Sequence, residues 1–187
     1  MLFRSYLTSG VSPKSWGNAS ANIVPYQTFR ASDGWIIVAA GNDSQFRHFV
    51  ESGHEPQLAD DPRFSTNPER VRHRSELDPL LQKMVLKKTK KEWIELLDTA
   101  NVPCGPINNF KEVFENEQVI AREIKMEMPH PTAGKVNLVR SPMRLSETPV
   151  VENRPPPLLG EHTQEILQEK LGLTELQIKS LKDQGII

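Results

Sequence analysis

Few residues in this chain are of a type and spacing that could do chemistry. Cys104 sits in the turn Pro103-Cys104-Gly105-Pro106. A thiolate nucleophile needs a nearby histidine or cation to lower its pKa, and the adjoining sequence offers neither, so the favoured reading is a small apolar side chain packed under a rigid turn. A thiol enzyme built on Cys104 is the lesser alternative. The histidines, His48, His54, His73, His130 and His162, show no His-x-x-x-His or similar ligand spacing, and no metal site is assigned. Arg63, Arg70, Arg72, His73 and Arg74 form a basic cluster that would suit the phosphates of a nucleotide-like ligand. Glu69 and Glu76 lie among them, however, and such runs on a helix are more often a solvated face.

The loop Gly17-Asn18-Ala19-Ser20-Ala21-Asn22 is more informative. Small residues let backbone amides approach a ligand closely and stabilise a developing oxyanion. Gly17, Asn18, Ala19 and Ser20 are therefore the candidate substrate-binding residues. The loop lacks the strand and spacing of a dinucleotide or phosphate-loop fingerprint. Neither it nor any other motif sets a nucleophile beside a base, and no catalytic residue is assigned.

The elements that must position these residues follow from patterning. Tyr26 to Arg30 and Trp35 to Ala40 are rich in β-branched and aromatic residues around Ser32-Asp33-Gly34, which predicts a hairpin with its second strand buried on both faces. Asn42 or Asp43 caps a helix carrying Phe46, Phe49 and Val50, which Asp60-Asp61-Pro62 ends. Asn67-Pro68 starts a helix running to about Lys88, with Val71, Leu77, Leu80, Leu81 and Met84 inward. Thr89 and Glu92 form a capping box before the stripe Trp93, Ile94, Leu96 and Leu97. Asn109 with Glu112 predicts one short helix, and Val119 with Ile120 marks another. Ile124 to Met128 and Lys135 to Val139 read as strands around a proline- and glycine-containing loop. From Ser141 to Pro157 periodicity fades and Pro142, Pro149, Pro155, Pro156 and Pro157 suit an extended crossing segment. Two helices close the chain, from about Glu161 to Leu171 and from the Thr174 and Gln177 capping box to near Gly185.

At 187 residues the chain can bury a sizeable core. With 23 basic and 24 acidic residues, it has no general electrostatic attraction to nucleic acid or an anionic membrane. No run of about 18 apolar residues exists to span a bilayer. A single cysteine excludes an internal disulfide framework, so a reducing compartment, cytoplasm or mitochondrial matrix, is expected. The acid-free opening stretch resembles a transit peptide in composition, but Gly10-Val11-Ser12-Pro13 and Gly17-Asn18 interrupt any amphipathic helix, and it is read as structural.

Taken together, Gly17 to Tyr26, Asp33 to Phe46, Asp61 to Arg74, Val102 to Asn108, Glu117 to Arg122, Pro131 to Val136, Ser141 to Pro149 and Pro157 to Leu167 resemble the C-terminal part of a class III coenzyme A transferase. This sequence departs from the pattern at Ser20 and Ala21, where relatives often carry His-Pro. The resemblance implies an α/β protein with four parts. Residues 1–24 form a loop or linker entering a small α+β domain at 25–140, 141–160 are the proline-rich crossing segment, and 161–187 are helices returning to a Rossmann-like large domain.

It also implies the chemistry. An aspartate attacks the acyl-CoA thioester to give a mixed anhydride, the CoA thiolate returns to form an aspartyl-CoA thioester, and an acceptor acid takes the CoA. The CoA thioester, such as succinyl-CoA or formyl-CoA, is a substrate, and no bound cofactor is implied. In the family the aspartate lies upstream of the loop that Gly17 to Asn22 resembles, so none of Asp33, Asp43, Asp60, Asp61, Asp78, Asp98 or Asp183 inherits its role. The chain alone is expected to be inactive, and to form a homodimer or pair with an upstream large-domain half. The alternatives are a non-catalytic remnant or interaction module that binds a full-length relative and, less favoured, an α-methylacyl-CoA racemase-type relative.

Overall fold

The computed structural model describes residues 2–151 and 154–187. Strands β1 (Tyr26–Ala31) and β2 (Gly34–Ala39) form the expected hairpin, in the register Ala31 to Gly34 and Tyr26 to Ala39. Its two-residue connection, Ser32-Asp33, precedes a glycine and suits a tight turn. A third strand, β3 (Cys104–Ile107), pairs antiparallel with the other edge of β2, giving the order β1-β2-β3. The stretch expected as a turn is thus an edge strand, where a proline that cannot donate to the ladder is tolerated. Burial of β2 is one-sided rather than two-sided. Ile36 and Val38 are fully buried, whereas Trp35 on the opposite face is 48% exposed.

Before the sheet, α1 (Leu2–Ser9) occupies part of the opening stretch expected as loop and ends at Gly10. After it comes α2 (Asp43–Ser52), capped by the Asn42 side chain, which accepts from Gln45 N–H at 2.8 Å. Short α3 (Gln57–Asp60) stops at the Asp-Asp-Pro break. The helix expected from Asn67 to about Lys88 is divided at His73 (φ −101°, ψ 22°) into α4 (Asn67–Arg72) and α5 (Arg74–Val85). Leu77, Leu81 and Met84 face inward as expected, but Leu80 is exposed. The Thr89 and Glu92 capping box opens α6 (Lys90–Thr99), which buries Trp93 and Leu97 and leaves Leu96 outside.

These elements enclose one core. Phe49 sits between Phe29 and Trp93, with ring centroids 6.2 and 5.7 Å away, and the Trp93 indole N–H donates to Val85 O at 2.7 Å. That bond satisfies the polar end of an otherwise apolar buried ring.

The chain divides into two compact units, Met1–Asn109 and Phe110–Ile187. The second unit carries α7 (Phe110–Glu115) and α8 (Glu117–Ala121). The hairpin β4 (Lys125–His130) and β5 (Gly134–Val139) follows, and then α9 (Thr163–Leu171) and α10 (Glu175–Asp183). The side chain of Asn116 caps α8, accepting from Gln118 and Val119 N–H, and the Thr174 and Gln177 capping box opens α10. Residues 141–151 and 154–157 hold no helix or strand. The hydrophobic core cluster lies wholly between Val24 and Val102, and in the second unit the buried hydrophobics among the described residues are Met128 and Ile178. In the last two helices Ile166, Leu171 and Leu176 are 53%, 66% and 80% exposed.

Candidate functional site

The loop leading into β1 is held at several points. Gly17 adopts φ +60°, a conformation that glycine accepts without strain. Asn18 clamps the loop to the sheet, its amide donating to Thr28 Oγ1 at 2.7 Å and its carbonyl accepting from Thr28 N–H at 3.2 Å. Ala19 N–H donates to Trp16 O, and Ser20 N–H to Tyr26 O. The Ser20 hydroxyl accepts from Asn22 N–H at 3.3 Å. Ala19 and Ser20 therefore spend their amides inside the chain. The N–H groups of Asn18 and Ala21 make no hydrogen bond among the described residues, and of the two donors only Asn18 belongs to the candidate set.

Three side chains from α4 and α5 collect the far end of the loop. Asn67 accepts from Val24 N–H at 3.1 Å and donates to Asn22 O at 2.8 Å. Arg70, with no exposed surface, donates to Val24 O at 2.6 Å, Phe64 O at 3.0 Å and the Asp43 carboxylate at 2.7 Å. Its guanidinium also lies over the Phe46 ring, 4.3 Å from the centroid. Arg74 donates to Ser20 O and to Ile23 O and lies 4.5 Å from the Trp16 centroid. The Val24–Pro25 peptide that these residues brace is cis.

The basic cluster consequently has little left for phosphate. Arg63 pairs with Asp61 and Glu76, Arg72 with Glu69, and His73 Nδ1 lies 2.9 Å from Glu76. The hydrogen bonds from Arg63 hold Asp61 below the usual carboxylate range, and those from His73 and Arg63 do the same for Glu76. Arg70 and Arg74 are internal loop holders rather than a solvated face. Sequence reasoning missed this role, and missed Asn67 and Thr28 as loop partners, because each contact spans 10 to 54 residues.

Cys104 Sγ lies 3.8 Å from the Asp98 carboxylate. Burial first, and then the Asp98 charge, push its thiol up to about 11, which suits a packed thiol and opposes a nucleophile. The histidines serve locally: His48 Nδ1 meets Ala100 O at 3.0 Å, and His130 Nδ1 accepts from Thr132 and Ala133 N–H in the β4–β5 loop. Among the described residues no group of three or more His, Cys, Asp or Glu side chains could hold a metal ion, and no helix is long and apolar enough to cross a membrane. An open groove of about 580 Å³ in the second unit, lined by Arg140, Met143, Arg144, Pro149 and neighbours, includes none of the four candidate residues. It lies along the irregular proline-rich segment.

The family model for CoA-transferase family III matches residues 1–163. This chain belongs to CoA-transferase family III. Among curated proteins, this family III chain is 40% identical to a succinyl-CoA:glutarate CoA-transferase of Homo sapiens over 98% of its length. It is 38% identical to a succinate–glutarate CoA-transferase of Agrobacterium fabrum over 88%, and 37% identical to a formyl-CoA:oxalate CoA-transferase of Streptomyces coelicolor over 71%. It covers 42%, 41% and 32% of those relatives, so the family III chain spans about two fifths of the first two. The crystal structure of a CAIB/BAIF family protein from Brucella suis superposes with a TM-score of 0.75 at 38% identity, covering 90% of this chain and 43% of that one.

Proposed function

We propose that this chain supplies the small domain and the thioester-closing loop of an enzyme that moves CoA from an acyl-CoA to a carboxylic acid. Succinyl-CoA is the donor and a dicarboxylic acid of the glutarate class the acceptor, a reading supported by the names of relatives that match 98% and 88% of the chain. The observation that carries the assignment of the loop is its bracing. Asn18, Asn67, Arg70 and Arg74 fix the backbone from Trp16 to Val24 while the N–H groups of Asn18 and Ala21 stay unspent. Preorganised amide donors of this kind stabilise the oxyanion that forms when a carboxylate attacks a thioester carbonyl. A closed loop also keeps water from the anhydride and the enzyme-bound thioester.

The attacking aspartate belongs to a part of the enzyme outside these 187 residues. Most of the chain's own aspartates are otherwise engaged. Asp33 accepts from Lys90 N–H at the start of α6, Asp43 holds Arg70, Asp60 holds Arg47, Asp61 holds Arg63 and Asp98 faces Cys104. Burial raises the Asp78 carboxyl above its ordinary value, and the Gln27 side chain and the Arg74 charge oppose that. The large domain that carries the nucleophile is also the proposed cover for the exposed residues of α9 and α10. The second unit buries too little apolar surface to stabilise itself, and exposed patches of this kind mark docking faces.

The test is CoA transfer from succinyl-CoA to glutarate. The chain alone is expected to be silent, and the same chain mixed with a polypeptide supplying the remaining length of a relative is expected to turn over. Turnover by the chain alone would return the nucleophile to these residues. Binding to an intact relative without turnover in either case would favour the non-catalytic interaction module.

A further inference from the structure

We infer that Arg74 is a positioning residue that holds the 16–23 loop in one of two arrangements, and that Asp78 is its partner in the other. In the arrangement described, the Arg74 guanidinium reaches both ends of the loop. Nη2 donates to the carbonyls of Ser20 and Ile23, and the guanidinium lies 4.5 Å from the centre of the Trp16 ring. Trp16 in turn accepts from Ala19 N–H through its carbonyl, so one side chain spans the candidate residues.

The side chain is 8% exposed, yet its Nε and Nη1 are buried without a partner. One helical turn along α5, Asp78 Oδ1 is also buried and unpartnered, and the Arg74 charge acts on the Asp78 carboxyl. Residues four apart on a helix are neighbours on one face, and an arginine pairs with a carboxylate through two parallel N–H donors. Buried polar atoms are rarely left unpaired, and here idle donors and an idle acceptor lie within one turn of each other.

Arg70 shows the contrast. Its Nε, Nη1 and Nη2 are all spent, on Val24, Phe64 and Asp43, so it fixes the base of the loop and has nothing to exchange. When the loop lifts, Arg74 loses Trp16, Ser20 and Ile23 together. Pairing with Asp78 then compensates the guanidinium inside the protein and lowers the cost of opening. The meaning of this latch for catalysis rests on the reading that the loop closes over a thioester, whereas the latch itself does not.

Amide hydrogen exchange of the 187-residue chain tests it without CoA or turnover, so the result stands apart from the transfer assay. Exchange at Ala19 and Ser20 is measured relative to the core amides of Ile36 and Val38, which removes any change in global stability. Asp78→Asn removes the alternative partner and is expected to slow loop exchange by roughly tenfold, while Arg74→Gln releases the loop and speeds it by a similar factor. In the Arg74→Gln background, Asp78→Asn is expected to have no further effect. Unchanged or faster loop exchange in Asp78→Asn would overturn the latch and leave Arg74 a plain clamp. If Arg74→Gln does not fold, the Asp78→Asn result alone decides.

Discussion

Arg70 Nη2 donates to the Asp43 carboxylate at 2.7 Å, joining a guanidinium with no exposed surface to the first residue of α2. The remaining Arg70 donors hold Val24 and Phe64, so one side chain ties the end of the 16–24 loop to the two helices behind it. Burial pulls the Arg70 pKa below its ordinary value, and the Asp43 hydrogen bond opposes that. Arg70→Leu leaves the buried carbonyls of Val24 and Phe64 and the half-exposed Asp43 carboxylate unpaired, and is expected to cost about 3–5 kcal/mol, measured by urea unfolding. A loss below about 1 kcal/mol, the scale of an exposed pair, would contradict the anchoring role.

Cys104 is protected by the same features that argue against a nucleophile. Iodoacetamide is expected to label it slowly at pH 8 in the folded chain and readily in urea, because the folded thiol titrates near 11 rather than at its ordinary 9.0. The linkage has a definite sign. A thiol whose pKa is raised on folding stabilises the fold below the unfolded value, and that contribution is lost as pH rises from about 9 through about 11. Cys104→Ala is therefore expected to flatten the alkaline decline in a pH series of unfolding curves.

Asp78 titrates in the opposite functional direction from a paired carboxylate. Burial raises its pKa, with the Gln27 hydrogen bond and the Arg74 charge opposing, so the folded state holds the proton more tightly than the unfolded chain does. The protonated fold is favoured below the ordinary value of 3.8, and this contribution disappears as pH rises through the folded pKa. Asp78→Asn should thus be more stable than the parent at pH 7, with the difference closing in acid. A gap that widens in acid would contradict the assignment of burial as the dominant cause.

Much of this architecture was legible because it is locally encoded. Thr89 with Glu92 and Thr174 with Gln177 are reciprocal caps within four residues, and each forms as the spacing predicts. The hairpin around Ser32-Asp33 follows from alternation and turn chemistry. What failed depended on distant partners. Pro103 to Pro106 has the composition of a turn and becomes a strand only because β2 offers it an open edge. The inward turn of Arg70 and Arg74 depends on carbonyls some 50 residues away in sequence, so a charged run that locally reads as a solvated face becomes the internal brace of the loop. Asn18 was found among the small loop residues, but its unspent N–H and the engagement of the Ala19 and Ser20 amides became evident only with the fold.

The unequal cores of the two units give a further expectation. Residues 1–109 are expected to unfold cooperatively as a separate polypeptide, since the hydrophobic core cluster lies between Val24 and Val102. Residues 110–187 alone are expected to bind a hydrophobic dye and show no cooperative transition. A sharp thermal transition of the second piece would contradict the proposal that it requires a covering domain.

In the proposed enzyme the loop held by Asn18, Arg70 and Arg74 shields an activated acyl group from water. Asn18→Ala removes both bonds to Thr28 and loosens the loop without touching the core. In the complemented enzyme, the ratio of succinyl-CoA hydrolysis to CoA transfer reads that shielding directly. The account predicts a ratio raised by roughly tenfold as water reaches the anhydride. An unchanged ratio with transfer at the parental rate would contradict it.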